Sequence, residues 1–159
     1  MYGANDNPCT IRFNTWNMEI NHPKSVFIHK EGTGKYVMRP LWDFDWAFGY
    51  EGSGQHFTNA TRPLFDKNMG GGIEQAFFEK FLSDSRVKAI YKKNWTRFRN
   101  ENFPKLIQYI DAYAKVLKPS TERDSQKWSN TRSFDAKVRD LKDWLNKRAN
   151  YIDGQVLDY

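Results

Sequence analysis

Apolar residues recur at helical spacing in the second half of the chain. The pattern predicts two amphipathic helices, with the apolar stripes Phe77, Phe78, Phe81, Leu82 and Val87, Ile90, Tyr91, Trp95, Phe98. Ser85 is the predicted N-cap of the second helix, because a serine hydroxyl can accept a hydrogen bond from the first turn. Helical structure is therefore expected soon after residue 72.

Two further helices are predicted downstream. Pro104 suits the first turn of a third helix, which Pro119 is expected to end, and a fourth helix is expected to begin near Ser133. Their apolar stripes are Leu106, Ile107, Ile110, Tyr113, Ala114, Leu117 and Val138, Leu141, Leu145, Ile152. Such stripes are typical of core packing rather than of a cofactor pocket. The residues predicted to be buried are Phe81, Ile90, Trp95, Ile110, Leu141 and Leu145.

The first half of the chain has a different pattern, in which β-branched and aromatic residues are concentrated in two short runs. Residues 25–30 and 35–42 predict the strands of a β-hairpin with a glycine-containing connection. Pro40 cannot donate to a ladder, so the second strand should leave its partner or form an edge there. The predicted fold class is α+β, a small β-hairpin region followed by a mainly α-helical subdomain.

Glycine is concentrated between these two halves. Residues 49–72 hold six of the ten glycines and have no sustained periodicity, which predicts a loop. Loops of this length within a compact domain are uncommon and are often functional. We therefore expect one domain over residues 1–159, divided into a hairpin and metal-motif region at 16–48, the glycine-rich loop at 49–72 and a helical subdomain at 73–153.

Composition and charge exclude several classes of protein. Phe, Trp and Tyr together number 26 among 159 residues, which is too aromatic for a disordered chain. The apolar runs are far shorter than the roughly 20 residues that cross a bilayer, so no membrane partner is expected and no signal peptide is predicted. Cys9 is the single cysteine, which excludes an internal disulfide and a four-cysteine zinc site.

The net charge of +6 arises entirely within residues 73–159, where 18 basic and 12 acidic side chains lie. Solvated faces of amphipathic helices account for such an excess, so a nucleic-acid partner is not expected. Were one bound, the contacts would come from Lys88, Lys92, Lys93, Arg97 and Arg99, and binding would depend steeply on salt.

Asp43 and Asp45 form the strongest candidate for chemistry in the chain. They stand two residues apart after the second predicted strand, between Trp42 and Trp46. Two close carboxylates in a partly apolar setting repel each other, and a divalent cation such as Mg²⁺ relieves that repulsion. Their alternative role is structural, as helix N-caps or as partners of Arg39 and His22.

Two passages around this pair resemble a known family. They are residues 21–26, Asn-His-Pro-Lys-Ser-Val, and residues 39–49, Arg-Pro-Leu-Trp-Asp-Phe-Asp-Trp-Ala-Phe-Gly. Segments 77–82, 94–98 and 144–148 add to the likeness. Over about residues 16–153 the sequence is similar to the CotH kinase-like family, named for a spore-coat protein.

The resemblance implies part of an atypical protein kinase that uses ATP with Mg²⁺ or Mn²⁺ to phosphorylate serine or threonine hydroxyls on a protein. By position, Asp43 and Asp45 inherit metal coordination. The catalytic aspartate of the family lies in an Asn-x-Asp arrangement, which here reads Asn17-Met18-Glu19. Glu19 is thus the candidate catalytic residue, and Asn17 and Ser25 are candidates for cofactor binding, although many relatives have Asn where Ser25 stands.

The resemblance also implies an ATP-holding β-rich lobe before residue 17. No Gly-rich phosphate loop with a paired lysine is recognisable there, so we expect the chain to correspond to the C-terminal catalytic lobe and to be inactive by itself. Its expected partners are that upstream lobe and a protein substrate, such as a coat or surface protein, in an extracytoplasmic or coat-associated setting.

A second hypothesis is a non-catalytic module that binds a protein or a glycan. Aromatic side chains in and beside the glycine-rich loop would supply its contacts, and binding would not depend on metal. These side chains are Trp46, Phe48, Tyr50, His56 and Phe57.

Overall fold

The computed structural model describes residues 28–34, 37–38, 48, 59–61, 73–128 and 133–157. Four α-helices dominate these residues. They are α1 (Ile73–Leu82), α2 (Ser85–Arg97), α3 (Phe103–Trp128) and α4 (Phe134–Leu157), with a π-helical segment at Phe98–Asn102 between α2 and α3. None of the described helices combines the length and apolar character needed to cross a membrane.

Among the described residues, extended structure is limited to two paired strands of two residues each. Strand β1 (Ile28–His29) runs antiparallel to β2 (Val37–Met38), and Ile28 lies opposite Met38. A ladder this short does not form a layer that could enclose a core. The described part of the chain is mainly α-helical, so the predicted α+β class is wrong. Of the predicted hairpin, the structure describes only residues 28–34 and 37–38, and the described core is built on helices.

The N-terminus of α2 is capped by Asp84, not by Ser85 as predicted. Asp84 Oδ1 accepts a hydrogen bond of 2.8 Å from the backbone N–H of Arg86, and Oδ2 lies 2.6 Å from the Arg86 guanidinium. The hydrogen bonds from the Arg86 side chain and then from its backbone N–H lower the pKa of Asp84 to about 2. Ser85 is instead the first residue of the helix.

Helical backbone continues from α2 through the π segment into α3. The N–H of Phe103 donates to the carbonyl of Phe98, a five-residue step that widens the turn immediately before Pro104. A proline ring would clash with a carbonyl in an ordinary helical turn, and π turns are one recognised way in which such irregularities are accommodated. The predicted boundary at Pro104 is thus a widened turn within one helical run.

Pro119 does not end the third helix, contrary to the prediction. Helix α3 continues for nine further residues, to Trp128. Around the proline, side-chain hydroxyls bond to helix carbonyls: Thr121 donates to Lys118 at 2.9 Å, and Ser125 donates to Thr121 at 2.7 Å. Side chains 122–128 are exposed, so this end of α3 runs along the surface.

The described core lies where α4 packs against α2 and the start of α3. Its buried apolar members are Ala60, Tyr91, Trp95, Phe103, Trp144, Leu145, Ala149, Ile152 and Val156. The predicted burial of Trp95 and Leu145 is confirmed, while Phe81, Ile110 and Leu141 are half-buried. The prediction for Ile90 is wrong, because it lies at the edge of the α2 stripe opposite Trp95 and remains 51% exposed.

Polar contacts at Asp153 hold α4 against the preceding helical run. Its carboxylate accepts a 2.7 Å hydrogen bond from Trp95 Nε1 and a 2.9 Å ion-paired bond from Arg99 Nε. Arg99 also donates to Asn150 Oδ1 at 2.7 Å, and its guanidinium lies 4.5 Å from the ring centre of Phe103. One carboxylate on α4 thus bonds to both α2 and the π segment.

We predict that Trp95→Ala lowers the free energy of unfolding by about 3–5 kcal/mol, because it removes a buried ring. Trp95→Phe should cost much less, since it keeps most of the packing and loses mainly the hydrogen bond to Asp153. The control is Ile90→Ala at the exposed position, which should cost less than about 1 kcal/mol. Urea denaturation measures all three, and similar costs for Trp95→Ala and Ile90→Ala would contradict the packing.

Candidate functional site

The residues predicted to carry chemistry, Asn17, Glu19, Ser25, Asp43 and Asp45, lie outside the described residues. The structure does describe Phe48, the seventh residue of the Trp-Asp-Phe-Asp-Trp-Ala-Phe-Gly motif, and the turn formed by residues 59–61. Both contact α4. The candidate site is therefore built from the helix face that receives these two pieces of chain.

Phe48 is a half-buried residue with an unusual backbone conformation. Its φ is 59°, in the left-handed region, where a bulky L residue is strained by roughly 1–2 kcal/mol. Its ring meets the buried Trp144 of α4 edge to face, with ring centres 6.2 Å apart. Such a contact contributes about 0.5–1.5 kcal/mol beyond the burial of the rings, enough to offset much of the strain.

Arg148 lies one helical turn beyond Trp144 and is fully buried. Its Nη1 donates a 3.2 Å hydrogen bond to the carbonyl oxygen of Ala60, and its guanidinium lies 5.3 Å from the ring centre of Tyr151. A buried cation is costly unless hydrogen bonds and nearby π electrons or charges compensate it. The contact with Ala60 therefore ties the turn at residues 59–61 to α4.

The turn itself is closed by Asn59. Its Oδ1 accepts hydrogen bonds of 3.0 Å from both the backbone N–H and the hydroxyl of Thr61. Ala60, between them, is only 7% exposed and belongs to the same buried cluster as Trp144. A side-chain cap that closes a turn in this way limits the backbone freedom of its residues.

Sequence reasoning missed the role of Arg148, although a signal was present. Leu141, Leu145, Arg148, Ile152 and Val156 follow one another at spacings of three or four residues, so the arginine occupies a position within the apolar stripe of α4. The predicted stripe passed over residue 148. The Phe48–Trp144 contact joins residues far apart in the chain and has no comparable local signal.

A metal centre is not visible in the part of the chain that the structure covers. Among those residues, no group of three or more His, Cys, Asp or Glu side chains is arranged to hold an ion. The predicted metal ligands Asp43 and Asp45 are not among them, so their assignment stays a prediction.

We predict that Phe48→Gly is more stable than Phe48→Ala by about 1 kcal/mol, because glycine adopts positive φ without strain. Both variants lose the ring, so the difference in their stabilities reports the backbone strain at residue 48. At exposed Ala112, within α3, Ala112→Gly should instead destabilise by about 1 kcal/mol. Thermal unfolding measures these differences, and a more stable Phe48→Ala would show that residue 48 is not held in the left-handed region.

Comparison with known proteins identifies a family for the chain. The family model described as CotH kinase protein matches residues 13–152, which include the five predicted chemical residues, Phe48, and both α4 residues of the candidate site. Comparisons with curated proteins and with solved structures gave no match. Because the family model covers most of the chain and agrees with the resemblance of the aspartate motif, the chain belongs to the CotH kinase family.

Proposed function

We propose that the chain takes part in phosphoryl transfer from ATP to a serine or threonine hydroxyl of a protein, with Mg²⁺ or Mn²⁺ as the cation. The observation that carries the proposal is the CotH kinase match, which spans residues 13–152 and so includes the whole aspartate motif. A kinase-like function follows from family membership, and the residue roles below are our assignment. A coat or surface protein is the first acceptor class to test.

The donor atoms of the proposed site suit a hard divalent cation. Asp43 and Asp45 would supply carboxylate oxygens to the cation, while Asn17 and Ser25 would contribute an amide and a hydroxyl group to cofactor binding. Oxygen ligands, commonly one or two carboxylates together with phosphate oxygens, are what Mg²⁺ prefers. When bound, the cation would neutralise the charge that spreads over the γ-phosphate oxygens in the transition state.

Glu19 would position the attacking hydroxyl and accept its proton. The acceptor oxygen then forms a bond to the γ-phosphorus, the bond from that phosphorus to the β,γ-bridging oxygen breaks, and ADP leaves. A carboxylate in this role needs the right position more than an unusual basicity, because most of the rate in phosphoryl transfer comes from alignment and charge stabilisation.

Anchoring of Phe48 supports the assignment of the metal pair. Phe48 follows Asp45 by three residues, a stretch of chain that spans at most about 11 Å. Its ring lies against Trp144, on a helix that Asp153 ties to α2 and the π segment. Only three residues of chain thus separate Asp45 from a side chain that packs on the helical core, which suits the precise positioning that a metal site requires.

We predict that Mn²⁺ binds in the presence of ATP and that the double variant Asp43→Asn, Asp45→Asn weakens this binding at least about tenfold, since both charged ligands are lost. The control is Glu122→Gln with Asp143→Asn, which removes the same charge from exposed positions on α3 and α4. Electron paramagnetic resonance of free Mn²⁺ measures the affinity. Equal affinities for wild type and the Asp43, Asp45 variant would contradict the proposal.

We also predict that Glu19→Asp raises the rate of phosphate transfer. The change removes one methylene and restores the residue found in the family, and displacements on the order of 1 Å can change a rate by about a hundredfold. Glu19→Gln keeps the size of the side chain and removes the base, so it should abolish transfer. Radiolabelled ATP with a serine-rich protein acceptor measures the rates, with the expected upstream lobe present because the chain alone is expected to be inactive. Equal, non-zero rates for all three proteins would exclude Glu19 from the reaction.

A further inference from the structure

The two contacts on α4 lie next to each other. Trp144 receives Phe48 and Arg148 receives Ala60, and these helix residues are four positions apart, about 6 Å along the axis. Ala60 and Trp144 belong to one buried cluster, and Phe48 packs against that cluster. One face of α4 therefore contacts two points of the chain, one near the end of the aspartate motif and one after it.

The two contacts depend on each other physically. Phe48 keeps its left-handed backbone only while its ring stays packed, because the ring contact offsets the strain. The turn at residues 59–61 completes the same buried cluster, and Arg148 holds that turn by its carbonyl oxygen. Loss of the bond from Arg148 would loosen the turn and admit water beside Trp144, which would weaken the support of Phe48.

We infer that Arg148 is a positioning residue for the aspartate motif. Its buried guanidinium holds the turn at residues 59–61 on α4, and through the shared cluster it supports Phe48, which follows Asp45 by three residues in the chain. The inference rests on the proposed function, because it assigns to Arg148 an effect on the metal site formed by those aspartates. Arg148 itself contacts neither metal nor substrate in this proposal.

The choice of a buried arginine supports a positioning role. An apolar residue of similar length would satisfy the packing of α4, and such replacements of buried ions are often neutral or stabilising. What an apolar residue cannot do is donate a directed hydrogen bond to the carbonyl of Ala60. The guanidinium therefore provides orientation of the turn, which packing alone does not supply.

The test uses Arg148→Met, which keeps the length of the side chain and removes its charge and donors. Arg148→Lys retains a donor, and Lys147→Met makes the same kind of change at the exposed neighbouring position. Asn59→Ala loosens the same turn from its exposed side without altering α4, and so remains informative if Arg148→Met does not fold. Hydrogen exchange at the Thr61 amide, Mn²⁺ affinity with ATP and the melting temperature are measured for each.

We expect Arg148→Met and Asn59→Ala to speed exchange at Thr61 about tenfold and to weaken Mn²⁺ binding several-fold. Arg148→Lys should lie between them and wild type, and Lys147→Met should match wild type. The Lys137 amide, bonded to the Ser133 carbonyl at the start of α4, should exchange at the wild-type rate in every folded variant. This pattern separates loosening of the turn from unfolding of the helix.

The inference is overturned if Arg148→Met and Asn59→Ala bind Mn²⁺ as tightly as a wild-type protein whose binding requires Asp43 and Asp45. It is also overturned if exchange at Thr61 in folded Arg148→Met equals that of wild type. Failure of the proposed function looks different, because then the Asp43→Asn, Asp45→Asn variant itself binds Mn²⁺ like wild type.

Discussion

The buried guanidinium of Arg148 is the constraint on which the described arrangement around α4 depends. It lies at zero exposure within an otherwise apolar helix face, and desolvating such a charge costs several kcal/mol if nothing compensates it. The Ala60 carbonyl and the Tyr151 ring contribute to that compensation. Since Ala60 belongs to a turn distant in the chain, the hydrogen bond from Arg148 also connects that turn to α4.

A second set of contacts fixes α4 itself. Asp153 accepts from Trp95 on α2 and from Arg99 in the π segment, so its carboxylate links α4 to two parts of the preceding helical run. The widened turn before Pro104 places Arg99 where it reaches Asp153 and lies over the ring of Phe103 at the same time. An irregular turn that accommodates a proline thus also supplies a side chain that orients the helix bearing Trp144 and Arg148.

The sequence predicts those features of the fold that depend on local spacing. Four helical segments follow from their apolar stripes, as does the burial of Trp95 and Leu145. The errors arise where neighbours override local signals. Pro119 is tolerated in an exposed stretch of α3, and Asp84 rather than Ser85 caps α2 because its carboxylate bonds both the backbone and the side chain of Arg86. The α+β class fails because β propensity in residues 25–42 yields only a two-residue ladder in the described region.

In the candidate site too, the features encoded by local sequence are predictable and the contacts between distant residues are not. The aspartate motif is recognisable from a contiguous run of residues, so sequence alone leads to Asp43 and Asp45. The contacts of Phe48 with Trp144 and of Arg148 with Ala60 join residues 96 and 88 positions apart, which no local pattern encodes. The position of Arg148 within the apolar stripe of α4 is the sequence feature that indicates its burial.

Two energetically unfavourable features lie at neighbouring positions on one face of α4, at Trp144, which contacts Phe48, and at Arg148 one turn later. One is the left-handed backbone of Phe48, and the other is the buried charge of Arg148. A bulky residue at positive φ and a buried charge are both unfavourable. Such features persist only where surrounding contacts over-determine the structure. Natural sequences concentrate departures of this kind at functional sites. Phe48 is the seventh residue of the aspartate motif and packs on this face of α4, one turn from Arg148, which supports our proposal that the helical core helps to position that motif.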